Sequence, residues 1–245
     1  MKVLLVSATL IEIAPVLSRL GHPVPPGERL GVAGMCIHTD RCDVLITGVG
    51  QLQCAVHVTN ALAAEAYDVV VHAGIAGSFT PTYGKRAVVM VEEECLADLG
   101  AETGGEANVE AGGGWTDIGD MGLLPPDQPP FTEGRLRASR AWAPTALDLP
   151  FARSATVNRV LGEPRSIDWV RSRYSPDIVN MEGAALFHAC LVRNVPFVAL
   201  RAISDMVGSA DRATWDVPGA IEALNGPLWT CLEAFASRLG LAHAD

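Results

Sequence analysis

Short runs of apolar, often branched residues alternate along the chain with segments whose apolar residues recur at helical spacing. Runs of the first kind are typical of strands buried in a parallel sheet, and segments of the second kind are typical of amphipathic helices. Strands are predicted at residues 1–7, 32–38, 43–47, 68–72, 85–96, 152–157, 178–179 and 195–203. Helices are predicted at residues 10–20, 51–64, 167–173, 184–191 and 216–239, the last with a break near 225–227.

This repeated order of strand, helix and strand predicts the fold class α/β. We expect a single-domain three-layer α/β/α arrangement over 1–245, with a central mixed, mostly parallel sheet. Residues 98–150 depart from the pattern, because glycine pairs and proline pairs interrupt them. A loop-rich excursion of this length is either a lid over a functional site or a subunit contact.

Two glycine-rich segments follow predicted strands. Gly48-Val49-Gly50 lacks the third glycine and the downstream acid of a dinucleotide-binding fingerprint, so a nicotinamide-dependent oxidoreductase is disfavoured. The segment 74–78 follows the strand at 68–72 and contains no lysine, which excludes a P-loop. Its glycines either form a tight turn or present backbone N–H groups to the oxygens of a ligand.

Three acidic residues lie beside the ends of predicted elements. Glu12 is in the first turn of a helix, Glu182 is where a short extended piece becomes a helix, and Asp205 is just past an apolar strand. Strand ends in an open α/β sheet converge on one crevice, where these acids would meet. Acids in such a crevice suit cleavage of a glycosidic bond, in which one group protonates the leaving atom and another activates water. The alternative is that each acid only stabilises a helix start or caps a turn.

Composition narrows the partners that the chain can have. The 245 residues are 49% hydrophobic and carry a net charge of −10, so we expect a large core and no surface for nucleic acid or anionic membrane. No apolar run approaches the ~18 residues of a membrane span, and Lys2 leads directly into a strand without a cleavage-like segment. The six cysteines show no metal-ligand spacing with the six histidines, which disfavours a metal site and suits a reducing cytoplasm.

Five motifs together resemble the superfamily of purine nucleoside phosphorylases and methylthioadenosine/adenosylhomocysteine nucleosidases. They are Ser-Ala-Thr-Leu-Ile-Glu at 7–12, Thr-Gly-Val-Gly at 47–50, Ala-Gly-Ile-Ala-Gly-Ser-Phe at 73–79, Val-Asn-Met-Glu-Gly-Ala-Ala at 179–185 and Arg-Ala-Ile-Ser-Asp at 201–205. Within the superfamily, Gly-Ile-Ala-Gly-Ser-Phe at 74–79 and the segments at 97–102 and 220–225 are similar to the futalosine hydrolase family. The resemblance implies a nucleoside phosphorylase-like fold, a purine nucleoside as substrate, no cofactor and a homo-oligomer.

The resemblance also implies a role for each matching residue. Glu12 would take a proton from the attacking water, and Asp205, oriented by Ser204, would protonate N7 of the purine. The other matches would hold the substrate: Glu182 the ribose hydroxyls, Met181 a face of the sugar, and the backbone at Ala76 and Gly77 the ribose and water.

Two differences from the phosphorylases favour hydrolysis. Phosphorylases of this superfamily hold phosphate with an arginine and a serine where this chain has His72 and Ile75, and the Glu12 carboxylate would repel the anion. His72 either contacts an anion or is simply hydrogen-bonded at the end of a buried strand. The resemblance therefore implies hydrolysis of futalosine, with two alternatives left open: a methylthioadenosine/adenosylhomocysteine nucleosidase and a non-catalytic nucleoside-binding protein.

The motifs identify neither a single residue that stacks on the base nor a single residue that meets the 5′ arm of futalosine. The nucleosidases carry a Gly-Asp-Ala-Phe type turn before the stacking position, whereas this chain has Ser-Ala-Thr-Val-Asn at 154–158. The excursion 98–150 is the candidate to accommodate the carboxyphenyl arm. The candidates to meet its carboxylate are Lys85, Arg86, Arg135 and Arg137.

Overall fold

The structure is a computed structural model that describes residues 2–102, 115–209 and 211–238. The strands within these ranges are β1 (Val3–Ser7), β2 (Met35–His38), β3 (Asp43–Ile46), β4 (Val69–Ser78), β5 (Val88–Leu96), β6 (Gly100–Glu102), β7 (Trp115–Asp117), β8 (Leu136–Arg137), β9 (Phe151–Thr156), β10 (Ile178–Asn180) and β11 (Phe197–Met206). Every strand predicted from the apolar runs is present. Strand β4 runs six residues beyond its predicted end, and the other ends differ by at most three residues. Strands β6, β7 and β8 lie in the excursion and were not predicted.

The main sheet of the described residues has the order β10-β9-β5-β11-β4-β1-β3-β2, with β8 added beside β5. Its longest pairings are parallel, between β4 and β11 and between β5 and β9. Strands β2 and β3 pair antiparallel, as do β5 and β11. The prediction of a mixed, mostly parallel sheet is confirmed.

Helices cover both faces of this sheet. They are α1 (Ala14–Arg19), α2 (Gln51–Ala64), α3 (Pro164–Tyr174), α4 (Gly183–Arg193) and α5 (Val217–Arg238). Helices α2 and α4 bury their apolar sides in one hydrophobic cluster, and α1 and α5 bury theirs in another. The apolar side chains of the central strands are divided between these clusters, because successive residues of a strand point to opposite faces. The predicted three-layer α/β/α architecture is confirmed.

Strand β4 is the common neighbour of three other strands. It pairs in parallel with β1 along its first half and with β11 along its whole length. Its last residues also pair antiparallel with β10, through Gly77 opposite Val179 and Ser78 opposite Ile178. Since β10 continues through β9 and β5 back to β11, these five strands close into a ring. The sequence pattern predicts the strands but not this closure.

Two predictions about strand ends are wrong. The glycine-rich segment 74–78 is neither a turn nor a loop, because β4 continues through it to Ser78. Asp205 does not follow β11 but lies within it, next to a shift in register between Ile203 and Asp205. Opposite Asp205 is Gly77, whose missing side chain leaves the space that the carboxylate occupies. A local bulge therefore extends the pairing beyond the apolar run.

The predicted break near 225–227 is also wrong. Helix α5 runs without interruption through Pro227. Proline removes one helical N–H and disfavours a helix interior, but the apolar side of α5 is buried before and after it. The free energy gained by this burial outweighs the helix-breaking tendency of Pro227. The buried residues of α5 include Ala220, Leu224, Leu228, Cys231 and Phe235. At the other end of the chain, the helix predicted from residue 10 begins with a 3₁₀ turn at Ile11–Ile13.

The excursion contains a small sheet of its own, in which β6 pairs antiparallel with β7. It is tied to α3 by a hydrogen bond from the Tyr174 hydroxyl to Asp117 and by an ion pair between Arg173 and Asp120. Residues 103–114, a part of the predicted excursion, lie outside the described residues. None of the described helices is long and apolar enough to cross a bilayer.

Candidate active site

A cavity of about 240 Å³ lies at the ends of β1, β4, β10 and β11. All seven residues predicted for the site line it: Glu12, Ala76, Gly77, Met181, Glu182, Ser204 and Asp205. The rest of its described wall is mainly apolar and includes Ile11, Val49, Val160, Leu161, Trp215 and Val217. The three carboxyl groups can therefore reach one common small ligand.

Glu12 is oriented by donors from two strands. Its Oε2 accepts from the Thr9 backbone N–H at 2.9 Å, from the Thr9 hydroxyl at 2.8 Å and from the Ser7 hydroxyl at 3.4 Å. Its Oε1 accepts from the Ile75 N–H on β4 at 3.2 Å. Ser7 and Thr9 belong to the first sequence motif, so the structure explains why these residue types precede the acid.

Glu182 lies at the N-cap position of α4, as predicted, and only 8% of it is exposed. Its side chain does not cap its own helix, and Oε1 instead accepts from the Gly50 N–H at 2.8 Å. Burial, together with the nearby Glu12 charge, raises the pKa of Glu182 to about 7. Both the position and the protonation of this carboxyl are thus set by the cavity rather than by the helix.

Asp205 lines the cavity from β11, opposite Gly77 of β4. The Ser204 hydroxyl donates to its Oδ1 at 2.7 Å. Burial raises the pKa of Asp205, while the Ser204 bond and the Lys85 charge oppose that rise. A carboxyl with a raised pKa is suited to give a proton to a leaving group.

Sequence reasoning missed the buried guanidinium of Arg201, which was noted only as part of a motif. Arg201 is 1% exposed, and its Nη2 donates to the His72 ring at 3.0 Å. Burial and the Arg201 charge hold the pKa of His72 well below its ordinary value, so a neutral imidazole accepts this bond. Arg201 and Glu12 both border the space that a side chain at Gly74 would fill. His72 is therefore hydrogen-bonded inside the sheet and is not part of the cavity wall. The sequence signal that could have revealed Arg201 was a charged residue within an apolar strand.

Comparisons with known proteins identify the family. A profile of the Phosphorylase superfamily matches residues 2–226. The chain belongs to the phosphorylase superfamily. A futalosine hydrolase of Streptomyces coelicolor is 32% identical over 226 residues, which cover 86% of this chain and 88% of the relative. A 5′-methylthioadenosine/S-adenosylhomocysteine nucleosidase of Anoxybacillus flavithermus is 29% identical over 179 residues, 71% of each chain.

Comparison with a solved structure supports the fold. A 5′-methylthioadenosine/S-adenosylhomocysteine nucleosidase from Colwellia psychrerythraea, in complex with adenine, superposes with a TM-score of 0.74. The superposition covers 96% of this chain and 95% of the other at 19% identity. The likeness confirms a nucleoside phosphorylase-like fold for this superfamily member.

The basic residues considered for the 5′ arm do not line the cavity. Arg135 and Arg137 pair with Glu93 on the β5–β8 side of the sheet, and Arg86 pairs with Asp216. The charge of Lys85 acts on Asp205, while its ammonium donates to the Thr214 carbonyl. The segment 154–158, which comprises the end of β9 and the two residues after it, contributes Val157 to the wall. Val160 and Leu161 follow, so aliphatic side chains are available to pack on a base.

In the described ranges, no group of three or more histidine, cysteine, aspartate or glutamate side chains is placed to hold a metal ion. The polar groups of the described cavity lining include its three carboxyls, the hydroxyls of Thr9 and Ser204, the Asn180 amide and the backbone of β4. Together they can orient a water molecule, donate a proton and accept hydrogen bonds from a sugar.

Replacing Glu182 with glutamine is expected to stabilise the fold at pH 8 while impairing the site. The folded pKa of about 7 lies above the ordinary 4.5, so the native state binds more protons between these values and wild-type stability falls as pH rises through them. Glutamine has no charge to desolvate, and we expect its gain to be on the order of 1–3 kcal/mol at pH 8 and small at pH 5. Denaturant unfolding at both pH values measures it.

Glu163 provides a matched control, because it is an exposed glutamate at the N-cap of α3 that also makes no capping bond. Glu163→Gln should leave the pH dependence of unfolding unchanged. An equal effect of the two substitutions would contradict a burial penalty at Glu182.

Proposed function

We propose that this chain is a futalosine hydrolase, an N-ribosyl hydrolase that takes part in menaquinone biosynthesis. It would cleave the bond between ribose and base in futalosine and release hypoxanthine and dehypoxanthinyl futalosine. The proposal needs neither a metal nor an organic cofactor. The S. coelicolor futalosine hydrolase, similar over 88% of its length, supports this choice of substrate.

One observation carries the assignment to hydrolysis. The described residues that line the cavity include three acids, Glu12, Glu182 and Asp205, but no lysine, arginine or histidine. A phosphate dianion in the cavity would meet carboxylates, whereas the Arg201 guanidinium is buried behind Gly74 and bonded to His72 instead of facing the cavity, which disfavours phosphorolysis. Water carries no charge and can be oriented by the same carboxylates.

The proposed reaction uses the two sides of the cavity in concert. As the bond from C1′ to N9 lengthens, Asp205 donates its proton to N7 and the purine leaves as a neutral base. A water molecule attacks C1′ and gives its proton to Glu12, so each acid ends with the charge that the other began with. General acid–base steps of this kind are worth ~10²–10⁴-fold each.

The other wall residues would bind and position the substrate. Glu182 accepts hydrogen bonds from the ribose hydroxyls, Met181 packs against the sugar, and the β4 backbone at Ala76 and Gly77 borders the ribose and water. Ser204 keeps Asp205 in place through its 2.7 Å hydrogen bond. The positive charge that develops on the sugar in the transition state is stabilised by the surrounding carboxylates.

We also propose that the chain forms a homo-oligomer in the cytoplasm. Exposed apolar side chains on α2 and α4 support association, since Leu52 is 76% exposed, Val56 47% and Val192 60%. Helices α2 and α4 are in contact, and exposed apolar residues on neighbouring helices can form the kind of patch that marks an interaction surface.

Incubating the protein with futalosine and with methylthioadenosine, side by side, tests the substrate. We expect hypoxanthine from futalosine at a rate that is the same with and without inorganic phosphate. We expect kcat/KM for futalosine to exceed that for methylthioadenosine by at least about tenfold, roughly 1.4 kcal/mol of transition-state binding. Chromatography of the released base measures both reactions.

The other outcomes identify the alternatives. Faster release of adenine from methylthioadenosine would make the chain a nucleosidase of that class. A rate that rises with phosphate would make it a phosphorylase. A nucleoside that raises the melting temperature without any release of base would indicate a binding protein.

A further inference from the structure

Glu94 is a fully buried acid that the proposed reaction does not use. It is on β5, with 0% of its surface exposed, and its side chain bonds to residues on the adjacent strand β9 and on β10, the strand beyond β9. Burial raises the pKa of Glu94 to about 7, although hydrogen bonds from Thr156 and Asn180 oppose the rise. Burying a carboxyl costs free energy unless hydrogen bonds offset it, so the contacts of Glu94 indicate its role.

Each oxygen of Glu94 fixes one neighbouring side chain. The Asn180 Nδ2 donates to Oε1 at 2.6 Å, and the Thr156 hydroxyl donates to Oε2 at 2.8 Å. Asn180 Nδ2 also donates to the Ser154 Oγ at 2.7 Å. With both amide hydrogens directed toward acceptors, the amide of Asn180 has one orientation, and its Oδ1 faces α4.

The two fixed side chains cap helix α4 from outside. Asn180 Oδ1 accepts from the backbone N–H groups of Glu182, at 2.9 Å, and Gly183, while the Thr156 Oγ1 accepts from the Ala184 N–H at 2.8 Å. The first N–H groups of a helix have no partner within the helix and are usually satisfied by the N-cap side chain. Here the N-cap residue is Glu182, and its carboxylate bonds to Gly50 instead.

The first residue of α4 rests directly on the Glu94 carboxyl. A Cβ at Gly183 would lie 1.8 Å from Glu94 Oε1 and 2.8 Å from Asn180 Nδ2, so only glycine fits there. Glycine at this position lets the buried acid come beneath the start of the helix. The Val-Asn-Met-Glu-Gly segment thus joins a capping residue, a site acid and the glycine that admits Glu94.

We infer that Glu94 is a positioning residue, which holds Asn180 and Thr156 as the caps of α4 and thereby leaves the Glu182 carboxylate free to face the cavity. This inference rests on the proposed role of Glu182 in binding ribose. Glu94 does not line the cavity, although Asn180, which it holds, does. The inferred effect of Glu94 on ribose binding passes through the direction of the Glu182 side chain. Glutamine at position 94 would turn one acceptor into a donor that faces Asn180 or Thr156.

A double-mutant cycle tests this pathway. In the wild-type background, Glu94→Gln is expected to lower kcat/KM for futalosine roughly 10- to 100-fold, because small displacements of a positioning contact have effects of this size. In the Glu182→Gln background, the same change should alter kcat/KM by less than about twofold, since the contact is already lost. Glu93→Gln is the matched control, one residue along the strand and paired with Arg135 and Arg137 away from α4.

A second pair of variants covers the case in which Glu94→Gln does not fold. Thr156→Val removes the hydroxyl at nearly constant shape and is expected to lower kcat/KM several-fold. Thr156→Ser keeps the hydroxyl, and its kcat/KM should be close to that of the wild type. Hydrogen exchange at the amides of Glu182, Gly183 and Ala184 should be faster in Thr156→Val and Glu94→Gln than in Glu93→Gln.

The outcomes separate this inference from the proposed function. If the wild type releases no base from any nucleoside, the proposed function fails. The same double-mutant cycle is then measured with the affinity for inosine, determined by calorimetry, in place of kcat/KM. Equal losses from Glu94→Gln in both backgrounds, or equal effects of the Glu94 and Glu93 variants, would overturn the positioning role in either assay. A loss that disappears in the Glu182→Gln background supports it.

Discussion

Asp205→Asn is expected to lower kcat for base release by ~10²–10⁴-fold, the usual contribution of a general acid. Asparagine keeps the shape of the side chain and an oxygen that can accept from Ser204, but it has no proton to give to N7. Nucleoside affinity should change little, because the loss is confined to the step in which the base departs. Single-turnover release of hypoxanthine and equilibrium binding together measure the two effects.

The pH dependence gives an independent check on this acid. Burial raises the pKa of Asp205, so its proton is retained to higher pH than for an ordinary aspartate and is lost above that pKa. Wild-type kcat should therefore fall on the alkaline side, and this limb should be missing in the Asp205→Asn variant. Asp211→Asn, the same change at an exposed residue of the following loop, should behave as wild type. An active Asp205→Asn variant would rule out the assignment.

Glu12→Gln is expected to cause a loss of similar size, ~10²–10⁴-fold in kcat, because the attacking water then has no base. It should also destabilise the fold, in contrast to glutamine at position 182. Glu12 accepts from Thr9 on one oxygen and from Ile75 on the other, so either orientation of the amide points an NH₂ group at a donor. A buried donor without an acceptor costs about 1–3 kcal/mol.

Kinetics and denaturant unfolding measure the two effects of Glu12→Gln separately. Glu28→Gln, a change in a nearby exposed loop, serves as the control for both. If Glu12→Gln keeps full activity, the water is activated elsewhere. If it is inactive but as stable as wild type, the hydrogen-bond account of its orientation is wrong.

Periodicity was sufficient to predict most of the fold. Helix α2 begins and ends at the predicted residues, and the apolar runs locate the central strands, because burial imposes the pattern on which the prediction depends. The errors occur where a partner distant in sequence decides the outcome. Asp205 remains in β11 because Gly77 on the neighbouring strand makes room, and α5 passes Pro227 because its whole apolar side is buried.

The three acids that line the cavity could be picked out from the sequence, but the residues that support them could not. Glu12, Glu182 and Asp205 are recognisable as acids beside element ends. Glu94, by contrast, belongs to a run of three glutamates, and the run itself does not show which of them is buried. Successive side chains of a strand point to opposite faces, so Glu93 should face away from Glu92 and Glu94. The irregular register between Val91 and Glu93, however, breaks this alternation at the start of the run.

The shared strand β4 has a consequence for how activity is lost on heating. The strands that carry or precede the three acids all hydrogen-bond to β4, and β4 is in the centre of the sheet. Central strands of this kind open only in global unfolding, whereas rim helices and loops fray at lower cost. Loss of activity on heating is therefore expected to follow cooperative global melting, and a species in which only rim helices and loops have frayed should keep its activity.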